Sequence, residues 1–161
     1  MPDRAVHSAA KSIAWECLQE TFRPAPAKIE NVLAALGGDS AQDRINYLER
    51  NLRLVQVIGP GRDRVKFALD PLAEYLAGFY VVEHYGGNEQ QWRDFLAKTD
   101  SVLAKTDSVP DAPGALKGFL LAVRDCCLTP DAQREVPSFV AGELASRAGL
   151  DHWRSETGIA V

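Results

Sequence analysis

The chain has 161 residues, of which 46% are hydrophobic and 25% charged, and its formal net charge is -4. This composition is typical of one soluble globular domain or two small ones, and it excludes a disordered or collagen-like chain. No apolar stretch approaches the roughly 20 residues that a membrane-spanning helix needs, and the N-terminus lacks the apolar core of a secretory signal. We therefore expect a cytoplasmic protein that does not contact a membrane.

Apolar residues at spacings of three and four predict three helices in the first 50 residues. The first helix runs from Asp3 to about Phe22, where two prolines follow. The second spans Ile29 to Leu36 and is closed by the Gly37-Gly38 pair. The third is capped by Asp39 or Ser40, and its buried side is formed by Ile45, Leu48 and Leu52.

The periodicity then changes to about two, which predicts a β-hairpin. Its strands are Leu54–Ile58 and Arg64–Leu69, joined by the turn cluster Gly59-Pro60-Gly61. The apolar face of the second strand carries Val65, Phe67 and Leu69. A further helix begins at Asp70-Pro71 and ends near Gly86-Gly87. Three helices followed by a hairpin are the order of a winged-helix domain, which predicts a mainly α fold for residues 1–87. This interpretation requires that the hairpin not pair with distant strands.

The pattern from residue 88 to residue 150 is helical and predicts a small helical bundle, followed by a tail over residues 151–161. One predicted helix contains Trp92, and another begins near Pro113. A last helical region begins at Thr129-Pro130. Pro137 should split that region and Gly149 should end it. Residues 96–102 are repeated exactly as residues 103–109, and a seven-residue insertion keeps the apolar side of a helix facing the same way.

Residue patterns that would indicate catalysis or metal binding are missing from the sequence. The glycine clusters lack the lysine and hydroxyl residue of a phosphate-binding loop, so the chain is not a complete P-loop enzyme. The three histidines have no cysteine or carboxylate at metal-ligand spacing. Cys126 and Cys127 are expected to pack in a core rather than to carry redox chemistry. We expect no catalytic residue, no metal and no cofactor in this chain.

The sequence contains one locally basic segment. Residues 44 to 66 hold six basic and two acidic residues, a net charge of +4, whereas the rest of the chain carries -8. In a winged helix the third helix and the wing are the two elements that contact DNA, and the excess lies on both of them. The predicted basic face consists of Arg44, Arg50, Arg53, Arg62, Arg64 and Lys66.

The hairpin and the helix after it carry a motif that resembles the end of the winged-helix region in NACHT-type signal-transduction NTPases of the STAND class. The family pattern is roughly Phe-x-His-x-x-Phe/Leu-x-Glu-Tyr/Phe-Leu-Ala-Ala. Matching residues are Phe67, Leu72, Glu74, Tyr75, Leu76 and Ala77. Leu69 stands where the family often has a histidine that senses nucleotide phosphates, and a leucine cannot donate that hydrogen bond.

The resemblance implies a regulatory and protein-interaction module that is not an enzyme by itself. Its partner would be an NTPase module in cis or in trans, or another protein subunit, and ATP or ADP would act only through that absent module. The alternative is a DNA-binding transcriptional regulator, in which the third helix and the hairpin contact the duplex through Gln42, Arg44, Asn46, Tyr47, Arg50 and Arg64. The chain's pI of about 5.4 does not favour this alternative.

Overall fold

The computed structural model describes residues 3–106 and 112–149. It confirms a mainly helical fold with a small antiparallel sheet that contains the expected hairpin. Its contacts divide the chain into two compact units, Met1–Tyr80 and Val81–Val161. The sequence places the domain boundary after Gly87, and the division by contacts falls earlier, within the helix that follows the hairpin.

The first unit contains three helices and the beginning of a fourth. They are α1 (Asp3–Leu18), α2 (Ile29–Leu36), α3 (Ala41–Arg50) and α4 (Asp70–Tyr85). The spacing of apolar residues explains the packing, because the residues at three- and four-residue intervals point to one side of each helix. The largest fully buried side chains of this unit are Ile13, Leu18, Phe22, Val32, Ile45, Leu48 and Val55.

Two helix ends differ from the prediction. α1 ends at Leu18, and Phe22 lies beyond it with a left-handed φ of 58° and a fully buried ring. A non-glycine residue in this conformation is strained, and the burial of the aromatic ring offsets the cost. Ser40 occupies the position before α3, but its side chain makes no capping hydrogen bond. Leu52 lies past the end of α3 and is 40% exposed, because the helix ends before the next apolar interval.

The sheet has one strand more than the hairpin that the sequence predicts. β2 (Val55–Ile58) and β3 (Arg64–Phe67) pair antiparallel, and β1 (Ala27–Lys28) pairs with the other side of β3. The expectation that the hairpin pairs with no other segment was therefore wrong. β1 follows a Pro-Ala-Pro segment, and residues before proline favour extended backbone. Two residues are too few to show a period in the sequence.

The two faces of the sheet differ in polarity. The face that carries Ala27, Val55, Val65 and Phe67 is buried. Leu69, predicted on this apolar face, is instead 64% exposed. The reason is that β3 ends at Phe67, and the carbonyl of Leu69 accepts the first helical hydrogen bond of α4 from the Ala73 N–H at 3.2 Å.

The second unit contains α5 (Glu89–Thr106), α6 (Ala112–Cys127), α7 (Pro130–Gln133) and α8 (Phe139–Arg147). Pro130 is in the first turn of α7, as expected for a residue whose missing N–H is no loss there. Pro137 separates α7 from α8, and Gly149 follows α8 with a φ of 86°, so both sequence signals are confirmed. The predicted tail, residues 151–161, lies outside the described residues.

Aromatic edge-to-face contacts hold the α5 end of this unit. Trp92 is fully buried between Tyr85 and Phe95, with ring centroids 5.2 and 6.0 Å away. Its indole N–H donates to the Gly86 carbonyl at 2.9 Å and so closes the turn between α4 and α5. The first copy of the repeated heptad lies entirely in α5, while the last residues of the second copy lie outside the described part of the chain.

Candidate functional site

The six residues of the predicted basic face lie on different elements of the first unit. Arg44 and Arg50 are on α3, Arg53 follows that helix, and Arg62 is in the hairpin turn. Arg64 and Lys66 are on β3. The fold therefore distributes the basic segment of the sequence over a helix, the loop after it, a turn and a strand.

Arg44 is directed toward the end of α2 rather than toward solvent. Its guanidinium donates to the carbonyl oxygens of Leu36 at 3.1 Å and Gly37 at 2.6 Å. α2 has no basic residue in its last turn, so Arg44 supplies donors to carbonyls that the helix leaves unpaired. Its Nε is buried without a hydrogen-bond partner. Arg44 thus has a structural role that makes it a poor candidate for contact with a base or a partner.

Glu49 connects α3 to the β2 strand and to the turn of the hairpin. Its carboxylate accepts a hydrogen bond from the Val57 N–H at 2.7 Å and one from the Arg62 guanidinium at 2.9 Å. The backbone N–H of Val57, followed by Arg62, holds the pKa of Glu49 below its ordinary value, although partial burial opposes the shift. β2 is an edge strand, and Glu49 occupies a donor that a foreign strand would need.

The outer face of the sheet carries three exposed cations. Lys28 is directly opposite Arg64 in the β1–β3 register, and Lys66 is two residues from Arg64 on the same side of β3. Lys28, Arg64 and Lys66 form no ion pair with any described residue. The sequence reasoning missed Lys28, because only the long-range pairing of β1 with β3 brings it to this face.

Arg50 and Arg53 lie near the C-terminal end of α3, and both are exposed. Arg53 has a left-handed φ of 56°, which is uncommon for a residue with a side chain. On the exposed side of the same helix, the amide of Gln42 donates to the Asn46 side-chain oxygen at 3.1 Å. The end of α3 is therefore a small basic surface separate from the polar pair at its beginning.

The residues of the family-like motif are distributed between core and surface. Phe67 and Ala77 are buried, Leu72 and Leu76 are half-buried, and Tyr75 is 44% exposed. Glu74 is half-buried, and burial, followed by the nearby charge of Asp70, raises its pKa. Leu69 is the most exposed large apolar side chain of the described residues. The motif therefore has one side that fixes α4 and one side that faces solvent.

The cysteines are placed for packing. All three are buried, and burial raises the pKa of the Cys17 and Cys127 thiols to about 12. A thiol with so high a pKa is a poor nucleophile at neutral pH. Within residues 3–106 and 112–149, no three histidine, cysteine or carboxylate side chains form a group that could hold a metal ion. None of the helices described has the length and apolar character needed to cross a membrane.

The part of the second unit that contains α6, α7 and α8 is a compact helical layer. α6 packs along α8, and the side chains of Leu116, Phe119, Leu120, Val123, Val140 and Leu144 are fully buried. Arg147, at the end of α8, contacts the Asp100 carboxylate through two nitrogens, at 2.8 and 3.1 Å, and Glu143 at 2.7 Å. These hydrogen bonds hold the end of α8 against α5.

Comparison with known proteins relates this helical layer to one family. No curated protein and no solved structure matches the chain. The matched family segment, residues 108–152, covers just over a quarter of the chain and shares no residue with the motif at residues 67–77. Residues 108–152 are similar to the NACHT C-terminal helical domain 4 family, so the C-terminal part of the chain is a NACHT-related helical module.

Proposed function

We propose that the chain is a non-catalytic regulatory and protein-interaction module that works with a NACHT-type signal-transduction NTPase. The observation that carries the proposal is the similarity of residues 108–152 to a helical domain that occurs at the C-terminal side of NACHT proteins. The motif at residues 67–77 adds support, because it lies where such a domain would be preceded by a winged helix.

The assignment of residues 1–87 to a winged-helix domain is part of this proposal. Its support is the order of elements, in which α1, α2 and α3 precede the β2–β3 hairpin and α4 follows it. The pairing of β1 with β3 breaks the condition that the sequence interpretation set, namely that the hairpin pairs with no distant strand. We retain the winged helix as a proposal because β1 comes from the linker between α1 and α2 and leaves the order of the other elements unchanged. Residues 88–150 would form a helical arm after this domain.

The proposed mechanism is conformational. The NTPase module, in cis or in trans, would bind ATP or ADP in the cytoplasm, and this chain would dock differently on its two nucleotide states. A nucleotide can shift the equilibrium only if the two docked states differ in free energy. Leu69 cannot hydrogen-bond to a phosphate, and its exposure suits an apolar contact with a protein surface instead. The exposed arginines Arg50 and Arg53 would supply charged contacts beside it.

The test begins with the genomic DNA around this reading frame. We expect a segment that encodes Gly-x-x-x-x-Gly-Lys-Ser/Thr in frame or in a neighbouring gene. Co-expression of that NTPase module with the chain should protect the Arg50, Arg53 and Arg64 region from hydrogen exchange, and replacement of ADP by ATP should change the protection. If no complex forms, or if that region stays equally accessible, the proposal is wrong.

DNA binding has less support from the side-chain contacts. Of the arginines that this alternative uses, Arg44 is engaged with α2, and the carboxylate of Glu49, on α3 itself, would repel phosphates. A gel shift at two salt concentrations checks this point. A DNA-binding chain would lose affinity by roughly 0.9 log units per log unit of salt for each phosphate neutralised, and we expect no specific complex.

A further inference from the structure

The outer face of the three-stranded sheet carries charges that weaken the fold. Lys28 and Arg64 are directly opposite each other, and like charges in this arrangement destabilise a sheet. Lys28 also directly precedes α2, and a cation at the N-terminal end of a helix is unfavourable. Lys66 adds a third positive charge on the same side of β3. Residues that lower stability without a compensating contact often serve function.

The chemistry around these cations indicates the kind of partner. Ile58 pairs with Arg64 from the other side of β3, so a half-buried apolar side chain lies beside the charges. Lys28 and Arg64 also line a cleft of about 360 Å³, and the same cleft is lined by Glu16 of α1 and by Glu20, which follows that helix. These carboxylates would repel a phosphate backbone that passed through the cleft, because such a backbone carries a charge at every unit, whereas a protein segment can place uncharged residues against them. A protein segment can present carboxylates to the cations and an apolar side chain to Ile58.

We propose that the outer face of the sheet, formed by Lys28, Arg64, Lys66 and Ile58, binds an acidic segment of a partner protein that also carries apolar residues. The argument for this occupant is charge complementarity combined with the apolar side chain of Ile58, which lies beside Arg64 at the edge of the basic face. Nucleic acid is the other anionic polymer to consider, and it suits the face poorly because two of the three cations, Lys28 and Arg64, share their cleft with two carboxylates.

This inference rests on the proposed function only in that both describe an interaction module. It uses a surface that overlaps the proposed NTPase contact only at Arg64, because that contact was placed mainly at Leu69 and at the end of α3. If the chain does not bind acidic peptides but is protected by the NTPase module, only the present inference is refuted. If the chain binds the peptides but forms no complex with that module, only the proposed function is refuted.

The experiment uses the full chain and a fluorescein-labelled peptide of Glu-Glu-Leu repeats, with a Gln-Gln-Leu peptide and a DNA duplex as comparison probes. Fluorescence anisotropy should show binding of the acidic peptide and not of the neutral one. Lys28→Glu should weaken this binding at least about tenfold. The control Lys117→Glu makes the same change in net charge at an exposed lysine of the second unit, and it should leave the affinity within about twofold.

A thermal melt of the same variants excludes misfolding as the cause. Lys28→Glu replaces a like-charge pair by an opposite-charge pair and places a carboxylate before α2, so its melting temperature should rise while its affinity falls. The proposal is overturned if the native chain does not bind the acidic peptide, or if Lys28→Glu binds it unchanged. It is equally overturned if the DNA duplex binds more tightly than the peptide and Lys28→Glu abolishes that binding.

Discussion

Glu49 offers the sharpest test of how the first unit is held together. Glu49→Ala removes the acceptor of the Val57 N–H and the partner of Arg62. Loss of the acceptor for a part-buried N–H costs about 1–3 kcal/mol. The Arg62 pair adds less than about 1 kcal/mol, because the arginine side chain is largely exposed. We therefore expect the free energy of unfolding to fall by about 2 kcal/mol.

Two further variants separate the contributions. Glu49→Gln keeps an oxygen for the Val57 N–H but loses the charge that strengthens the bond, so it should cost about 1 kcal/mol. Arg62→Ala leaves the Val57 bond intact and should cost less than about 1 kcal/mol. Urea unfolding followed by circular dichroism gives the free energies, and hydrogen exchange at the Val57 amide reports the bond directly.

The dependence on pH provides an independent check. The pKa of Glu49 is lower in the folded chain than its ordinary value of 4.5, so folding favours the ionised form. The resulting stabilisation is fully present above about pH 4.5 and is lost as the pH falls through the lower folded value. The gap in stability between the native chain and Glu49→Gln should therefore shrink on acidification. The reasoning is refuted if Glu49→Ala is no less stable than Glu20→Ala, a change at an exposed carboxylate just after α1, or if the gap is constant with pH.

Three other expectations concern packing. Trp92→Phe loses the hydrogen bond to Gly86 and part of a buried ring, and should lower the free energy of unfolding by about 2–3 kcal/mol in urea. Gly87→Ala puts a methyl group 3.0 Å from the backbone oxygen of Glu135 and should lower the free energy of unfolding by about 1 kcal/mol. Gly142→Ala, in an open part of α8, should raise it by about 0.5–1 kcal/mol. Thermal melts in which these two signs are reversed would contradict the packing of α8 and of the loop before it. Ellman's reagent at pH 8 should label no cysteine rapidly before urea is added, and rapid labelling of the native chain would show that the burial is wrong for Cys17 or Cys127.

The helices and the hairpin could be predicted because their signals are local. α2 ends at Leu36 before two glycines, and α8 begins after Pro137, in agreement with rules that involve only neighbouring residues. The failures at Leu52 and Leu69 come from the exact ends of α3 and β3, whereas two other failures involve contacts distant in sequence. Burial of the Phe22 ring fixes a left-handed residue after α1, and the pairing of β1 depends on a strand more than thirty residues away. No local period contains that information.

The candidate surface illustrates the same limit. A count of charges identified the basic segment but could not show that Arg44 turns toward α2 or that Arg62 pairs with Glu49. One signal was available for Arg44, since α2 has no basic residue in its last turn and a nearby arginine could supply the missing donors. Lys28 had no such signal. It follows four uncharged residues, 24–27, and directly precedes α2, so nothing near it in the sequence indicates a basic face.

Two separate parts of the chain point toward the same family, and their independence matters for the proposal. The motif at residues 67–77 depends on the hairpin and α4, whereas the match at residues 108–152 depends on the helical layer that contains α6 and α8. The two segments share no residue, so a chance resemblance in one does not produce a resemblance in the other. In the proposed regulatory module, one part would contact the NTPase and another would respond to a further partner. The basic outer face of the sheet contains no residue of either segment, although Arg64 and Lys66 share strand β3 with Phe67. This face is therefore the surface left for that further partner.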